Sequence, residues 1–278
     1  MKLFRHGSPG RERPGVLDAT GARRDLSLLV PDLTPDWMAP EKLAALAAID
    51  LTQLPQVHSG VRLGPPIAGV RQFICIGLNY RKHAEESGLP VPAEPVVFSK
   101  ALTCISGPND DIVLPEGSTS TDWEVELGLV IGTLCRNVPE RDALRHVAGY
   151  CLANDVSERD WQLKRGGQWS KGKSFDTFGP IGPLLVTADE IPDPQSIELK
   201  LTVNGIQKQH SSTSDQIFPV AFVVSYLSSF MTLLPGDLVI TGTPEGVGLG
   251  ANPPEFLQGG DVVELFGGVL GTQRQIIR

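Results

Sequence analysis

A strand-rich α+β fold is predicted for this 278-residue chain, with a small N-terminal α+β domain over residues 1–66 and a larger domain over 67–278. Two features carry the prediction. From Phe73 onward, short apolar runs recur between Gly and Pro residues, the spacing of many short strands joined by turns. Helical periodicity is confined to a few stretches. The division between the two parts is set by Gly64-Pro65-Pro66, a cluster that interrupts regular structure.

In chain order, Gly15-Val16-Leu17-Asp18 and Arg24-Asp25-Leu26-Ser27-Leu28 read as short strands around a turn at Thr20-Gly21, and the Ala- and Leu-rich segment 41–48 as a helix. The larger domain offers apolar runs at 73–76, 95–98, 112–114, 125–131, 147–153, 184–186, 197–203, 238–240 and 262–265. Helical patterns follow Asn79 and occupy 140–145, 157–163 and 218–230. Asn204-Gly205 marks a two-residue hairpin into a polar strand, because both residues tolerate positive φ.

Composition narrows the function. A formal charge of -8 argues against the basic face that a nucleic-acid surface requires. A small anionic substrate is compatible with it, since a metal or a few cations reverse the field locally. Cys75, Cys104, Cys135 and Cys151 are far apart and form no C-x-x-C pair, so they are expected as buried, reduced thiols. The opening Met1-Lys2-Leu3-Phe4-Arg5-His6-Gly7 has no apolar run behind its positive charge, and 218–234 is short and interrupted by Pro219. The expectation is a cytoplasmic protein with no membrane partner.

The most informative stretch is Asp122-Trp123-Glu124-Val125-Glu126-Leu127. As a strand it puts Trp123, Val125 and Leu127 on one face and Glu124 and Glu126 on the other, about 7 Å apart along the chain. Like charges that close, between apolar residues, repel each other and lose hydration; a divalent cation removes both penalties, and oxygen donors favour Mg²⁺, Mn²⁺ or Ca²⁺. An isolated E-x-E is more often a solvated strand face. Asp155 ends the apolar run 147–153 just before Ser157-Glu158-Arg159-Asp160, a capping pattern for a helix. Spacing alone reads it as a turn residue.

His83 and Glu86 are three apart on the helix after Asn79, so they share a face. A carboxylate beside an imidazole fixes its tautomer and raises its basicity, as a general base requires, although such pairs are commonly plain surface ion pairs. His6, His58, His146 and His210 show no comparable partner in sequence and are read as structural. Lys173 is unremarked by its own pattern. Thr241-Gly242-Thr243-Pro244-Glu245-Gly246-Val247-Gly248, after the 238–240 run, is a glycine-rich anion cradle without the order of a nucleotide-binding P-loop.

Taken together, Gly77-Leu78-Asn79-Tyr80-x-x-His83-x-x-Glu86, Asp122-Trp123-Glu124-Val125-Glu126-Leu127, Asn154-Asp155-Val156-Ser157-Glu158-Arg159-Asp160, Lys171-Gly172-Lys173-Ser174-Phe175 and Thr241-Gly242-Thr243-Pro244 resemble, in their order, the motifs of the fumarylacetoacetate hydrolase family, across residues 73–250. The resemblance implies that family's mixed β-roll and a homodimer. It implies Glu124, Glu126 and Asp155 as ligands of one Mg²⁺ or Mn²⁺ per subunit, and His83 with Glu86 as a water-activating dyad. Lys173, Gln162 and Thr243 fall where the family contacts the 2-oxo acid end of its substrate; Arg159 counts with the substrate-binding residues and Lys173 with the catalytic ones. Ala101 after Lys100 departs from the family's frequent Pro, in a loop. The opening, Arg5-His6-Gly7 through Pro14-Gly15-Val16-Leu17-Asp18 to Arg24-Asp25-Leu26-Ser27, resembles the branch that acts on 2,4-diketo-3-deoxy sugar acids.

The activity so implied is metal-dependent hydrolysis of a carbon–carbon bond in a 2,4-dioxo acid, an acylpyruvate or a diketo-deoxy sugar acid, giving pyruvate and a carboxylic acid. The ion would chelate the 2-oxo acid, His83 would activate water against C4, and the ion with Lys173 would stabilise the pyruvate enolate. The segment 80–92 is expected to close over the substrate. Ureidoglycolate lysis and oxaloacetate decarboxylation or isomerisation are the alternatives on such a site. A non-catalytic metal-binding protein has no use for the His83–Glu86 pair.

Overall fold

The computed structural model describes residues 1–88 and 90–278; Leu89, inside the 80–92 segment, lies outside the described residues. The first strands, β1 (Lys2–His6), β2 (Arg13–Leu17) and β3 (Arg23–Asp25), form an antiparallel meander, followed by α1 (Pro40–Ala47) and β4 (Leu63–Gly64). Then come β5 (Phe73–Gly77), α2 (Arg81–Glu86), β6 (Val96–Ser99), β7 (Ile105–Ser106), β8 (Thr121–Asp122), β9 (Val125–Ile131), α3 (Glu140–Ala143), β10 (Val147–Asn154) and β11 (Ser157–Glu158). The remainder holds α4 (Ser170–Lys173), β12 (Gly179–Pro180), β13 (Leu185–Thr187), β14 (Glu198–Val203), β15 (Ile206–Ser212), α5 (Val220–Phe230), β16 (Leu238–Ile240), β17 (Val262–Phe266) and β18 (Thr272–Ile276).

The main sheet runs β3-β2-β1-β13-β10-β9-β16-β5-β6, with β4 beside β1. It is mixed: β16 and β5 are parallel, while β9 runs antiparallel to both β10 and β16. A second, antiparallel sheet, β15-β14-β17-β18, packs on it. Leu199, Leu201, Val263 and Leu265 of the second sheet share one core with Leu127, Leu129 and Leu152 of the first. Strands covered on both faces need near-continuous apolar sequence, which is why β9 and β10 are buried along their whole length. Because β1 pairs with β13 and β4, segment 1–66 is stitched into the same sheet, and its Leu3, Val16, Leu33 and Met38 lie in the common core.

Local chemistry explains most element boundaries. Asn204 and Gly205 take φ of 53° and 77°, and the hairpin β14–β15 closes there. α5 starts only after Pro219 and buries Val220, Val223, Val224 and Leu227, a stripe at helical spacing. β3 stops at Asp25, whose carboxylate accepts the Ser27 N–H and turns the chain. Among the described residues, no helix is long and apolar enough to cross a membrane.

Three sequence expectations are corrected. Segment 112–114 is not a strand and contributes a single bridge, Ile112 to Ile277. The helix expected over 157–163 is instead the short strand β11, paired with β8, followed by a π-helical turn at Asp160–Lys164. The Ser157 hydroxyl does not cap a helix; it donates to the Asp155 carbonyl. Several two-residue strands and two five-residue ones, β1 and β18, escape the apolar pattern. In β18 the inward residues are Gln273 and Gln275, whose amides donate to the carbonyls of Leu152, Gly182 and Pro108, so a fully buried face looks polar in sequence. β1 escapes because its apolar run is only Leu3-Phe4, between Lys2 and the polar Arg5-His6 pair.

The junction of β10 and β13 leaves no room for a side chain at Gly149, where an added Cβ would lie 2.4 Å from the Val186 carbonyl oxygen. Gly149→Ala should therefore lower stability by about 1–3 kcal/mol through overpacking. Denaturant unfolding measures this, and an unchanged midpoint would contradict the close approach.

Candidate active site

Topology brings the candidate residues to one end of the main sheet. β5 and β16 are parallel, so α2, which follows β5, and the loop 241–250, which follows β16, leave from the same end. β9 is antiparallel to β16, so its first residues start there; β10 is antiparallel to β9, so it finishes there. The register pairs Glu126 with Ala153 and Val125 with Asn154, and the Asp155 N–H donates to the Glu124 carbonyl at 2.9 Å. Glu124, Glu126 and Asp155 thereby converge, each with a carboxylate oxygen within 4.8 Å of the others and all buried.

Three cations enter this cluster. The Lys173 ammonium donates to Glu124 and to Asp155, each at 2.6 Å. Lys100, just past β6, donates to the other oxygen of Asp155 and to the Val156 carbonyl. Arg159 contacts Glu124 at 2.8 Å through one guanidinium nitrogen, while its Nε donates to Asp122 at 2.8 Å. Burial by itself works against the Lys173 ammonium, but Asp155 and Glu124 outweigh it and raise its pKa, so it stays charged. Burial also works against the Glu124 carboxylate, yet Lys173 and Arg159 hold it down at about 2.

Glu126 differs. Among the described residues no side-chain cation is bonded to it; it accepts the Gly242 N–H at 2.7 Å. Burial, reinforced by Asp155 and Glu124, pushes its carboxyl well above the usual range. A divalent ion among the three carboxylates would supply the charge that Glu126 lacks, and an all-oxygen donor set suits a hard cation. The residues present fit such an ion.

The loop 241–250 is the anion cradle that its glycines announce, and the anions are the protein's own. Gly242 N–H serves Glu126, Gly246 N–H serves Glu86 at 3.0 Å, and the N–H groups of Gly248 and Leu249 serve Asp122 at 2.7 and 3.0 Å. Gly246 has φ of 96°, a conformation glycine alone adopts freely. On α2, His83 Nδ1 lies 3.2 Å from Glu86, which is thus held from two sides. Both line a cleft of about 420 Å³ together with Arg159 and Gln162. Gln162 sits on the π-helical turn and accepts from Arg159 at 2.9 Å; such turns recur at functional sites.

Thr243 is placed differently. Its hydroxyl donates to the Val125 carbonyl and accepts from Gln209, and it is not among the residues lining the cleft. The histidine reading is corrected in one respect. His210 has a carboxylate partner at 2.6 Å, Glu198, on the exposed face of the second sheet, and His6 lies 3.8 Å from Asp25. What sets His83 apart is its cleft. Lys100 and Asp122 were not singled out from sequence: a lysine after a strand carries no mark of burial, and Asp122 was seen only as part of its motif. All four cysteines are buried and unpaired.

Residues 72–278 match the model of the fumarylacetoacetate (FAA) hydrolase C-terminal family. The chain is 56% identical over 279 residues to a Burkholderia multivorans protein named "Putative hydrolase", covering 100% of this chain and 99% of that one. Its structure is similar to fumarylacetoacetate hydrolase from psychrophilic Exiguobacterium antarcticum, with a TM-score of 0.89 at 36% identity, and to maleylpyruvate hydrolase from Sphingobium sp. SYK-6, with 0.82 at 28%. Each comparison spans 100% of this chain and 99% of the other.

The buried charge balance makes Lys100 a sharp test. Lys100→Met leaves Asp155 with one ammonium partner in place of two, and should cost about 3 kcal/mol of stability, at the low end for breaking a buried ion pair. Denaturant unfolding of the metal-free protein reads this; a loss below the error of the fit would show that Lys173 alone balances Asp155.

Proposed function

The chain belongs to the fumarylacetoacetate hydrolase family, and on that premise we propose that it hydrolyses the C3–C4 bond of a 2,4-dioxo acid, releasing pyruvate and a carboxylic acid. One observation carries the reading. His83, braced by Glu86, faces the same cleft as Arg159, and Arg159 is bonded directly to the buried acid cluster through Glu124. A base for water and a charged anchor for a 2-oxo acid therefore meet in one space. The similarity to maleylpyruvate hydrolase supports it.

Glu124, Glu126 and Asp155 would hold one Mg²⁺ or Mn²⁺. When bound, the ion supplies positive charge opposite the electrons that carbon–carbon cleavage releases. The remaining work falls to the chain. With its Nδ1–H hydrogen-bonded to the Glu86 carboxylate, neutral His83 has its Nε2 lone pair free to take a proton from water. Glu86 is fixed in turn by the Gly246 N–H, so the imidazole is oriented before substrate arrives. Arg159 holds the side-chain oxygen of Gln162, which leaves the Gln162 amide nitrogen as the donor toward the substrate. Lys173 keeps a fixed positive charge at the 2-oxo acid end. The hydroxide adds to C4, the C3–C4 pair withdraws into the pyruvate fragment, and the proton taken from water returns to C3.

His83→Ala should lower kcat on an acylpyruvate by about 10²–10⁴, the range for losing a general base. Products formed in ¹⁸O-labelled water decide the reaction type. Label in the released carboxylic acid is expected; unlabelled acid, or a rate indifferent to His83, would replace hydrolysis by decarboxylation or isomerisation.

For the ion, Mg²⁺ or Mn²⁺ should raise the Tm of the metal-stripped protein by mass action. The shift should vanish in Glu124→Ala, Glu126→Ala and Asp155→Ala. A shift retained in all three would place the ion elsewhere.

A further inference from the structure

The cleft wall bears on which acyl group is cleaved, a question that rests on the hydrolase reading and goes beyond it. Away from His83, Glu86, Arg159 and Gln162, the cleft is walled mainly by Leu78, Leu163, Trp169, Val247 and Leu249, with Gly250 and the hydroxyl residue Ser87 completing it. Leu163 and Leu249 are 46% and 39% exposed, so the mouth presents large apolar side chains to water. Leu78 has φ of 53°, a strained conformation for a bulky residue, at the wall of the site. The Trp169 ring packs edge-on against Phe98 at 5.5 Å and stands over Gly77, where a Cβ would lie 2.3 Å from it. The sequence thus gives up a side chain at position 77 to seat this indole.

Charge on the wall points the same way. Among the described residues, Arg159 is the only lysine or arginine lining the cleft, and beyond its bonds to Asp122 and Glu124 its charge serves the 2-oxo acid end of the substrate, not the acyl end. Glu86 adds negative charge on the wall. A second carboxylate on the substrate would meet no free cation and one like charge. A polyhydroxylated chain would lose its water against apolar groups with few hydrogen bonds in return.

We propose that the acyl portion of the substrate is uncharged and apolar, alkyl or aryl, and that Leu78, Leu163, Trp169, Val247 and Leu249 select it. This departs from the sugar-acid branch that the N-terminal opening resembles. The test is binding rather than turnover. 4-Methyl-2-oxopentanoate and 2-oxoglutarate share the 2-oxo acid end and its C3 methylene, and differ by an isopropyl group in place of a carboxymethyl group. Titration calorimetry with Mg²⁺ present should show the first binding at least about tenfold more tightly. A 2-oxo-3-deoxy sugar acid should also bind more weakly than 4-methyl-2-oxopentanoate. Leu249→Lys, at the exposed rim, should narrow or reverse the ratio between the matched pair. Equal affinities, a preference for 2-oxoglutarate or for the sugar acid, or no binding of any probe would overturn the proposal. Discrimination retained in a protein that cleaves no acylpyruvate would refute the hydrolase reading and leave this one standing.

Discussion

Three carboxylates share one buried space, and much of the structure around them is arranged to make that tolerable. Isolated in a protein interior, each ionised group would cost several kcal/mol. The chain answers with ammonium and guanidinium groups drawn from distant segments: Lys100 beyond β6, Arg159 beyond β11, and Lys173 at the end of α4. Counting Asp122, four acids of the cluster face three cations, and the deficit falls on Glu126, which among the described residues has no cationic side-chain partner. The imbalance is local. The same region that satisfies Glu124 and Asp155 leaves Glu126 to a single backbone amide.

The mixed direction of the central strands turns this into a site. With β5 and β16 parallel and β9 antiparallel to β16, the acids of β9, the end of β10, the helix bearing His83 and the loop after β16 all emerge at one edge. An all-antiparallel order would send α2 to the opposite edge. The loop 241–250 then spans the two halves, giving N–H groups to Glu126 on one side and Glu86 on the other.

Much of this was legible in sequence where periodicity reports burial. The apolar runs of β5, β9, β10, β14 and β16, and the Asn204-Gly205 turn, stand close to their expected bounds because each is decided by local composition. The E-x-E pattern correctly put Glu124 and Glu126 on one side, but their meeting with Asp155 depends on the β9–β10 register, which no local pattern encodes. β18 was invisible because its buried face is glutamine, and Lys100 because a buried lysine looks like any other until its carboxylate is found. The π-helical turn at Asp160–Lys164 replaced an expected α-helix where Arg159 is pulled toward Asp122 and Glu124. In each case a tertiary partner, absent from the local pattern, decides the outcome.

Leu249 joins two duties that are chemically separable. Its backbone N–H holds Asp122, while its side chain faces the cleft. The amide survives almost any replacement of the side chain; only proline removes it. Electrostatic support for Arg159 is thus written into the main chain, where point mutation cannot easily reach it. The selectivity proposed for the cleft, by contrast, would rest on a side chain that mutation can exchange freely. Replacing the Leu249 side chain would therefore leave that support in place, and directed evolution of substrate range has its natural starting point at the rim.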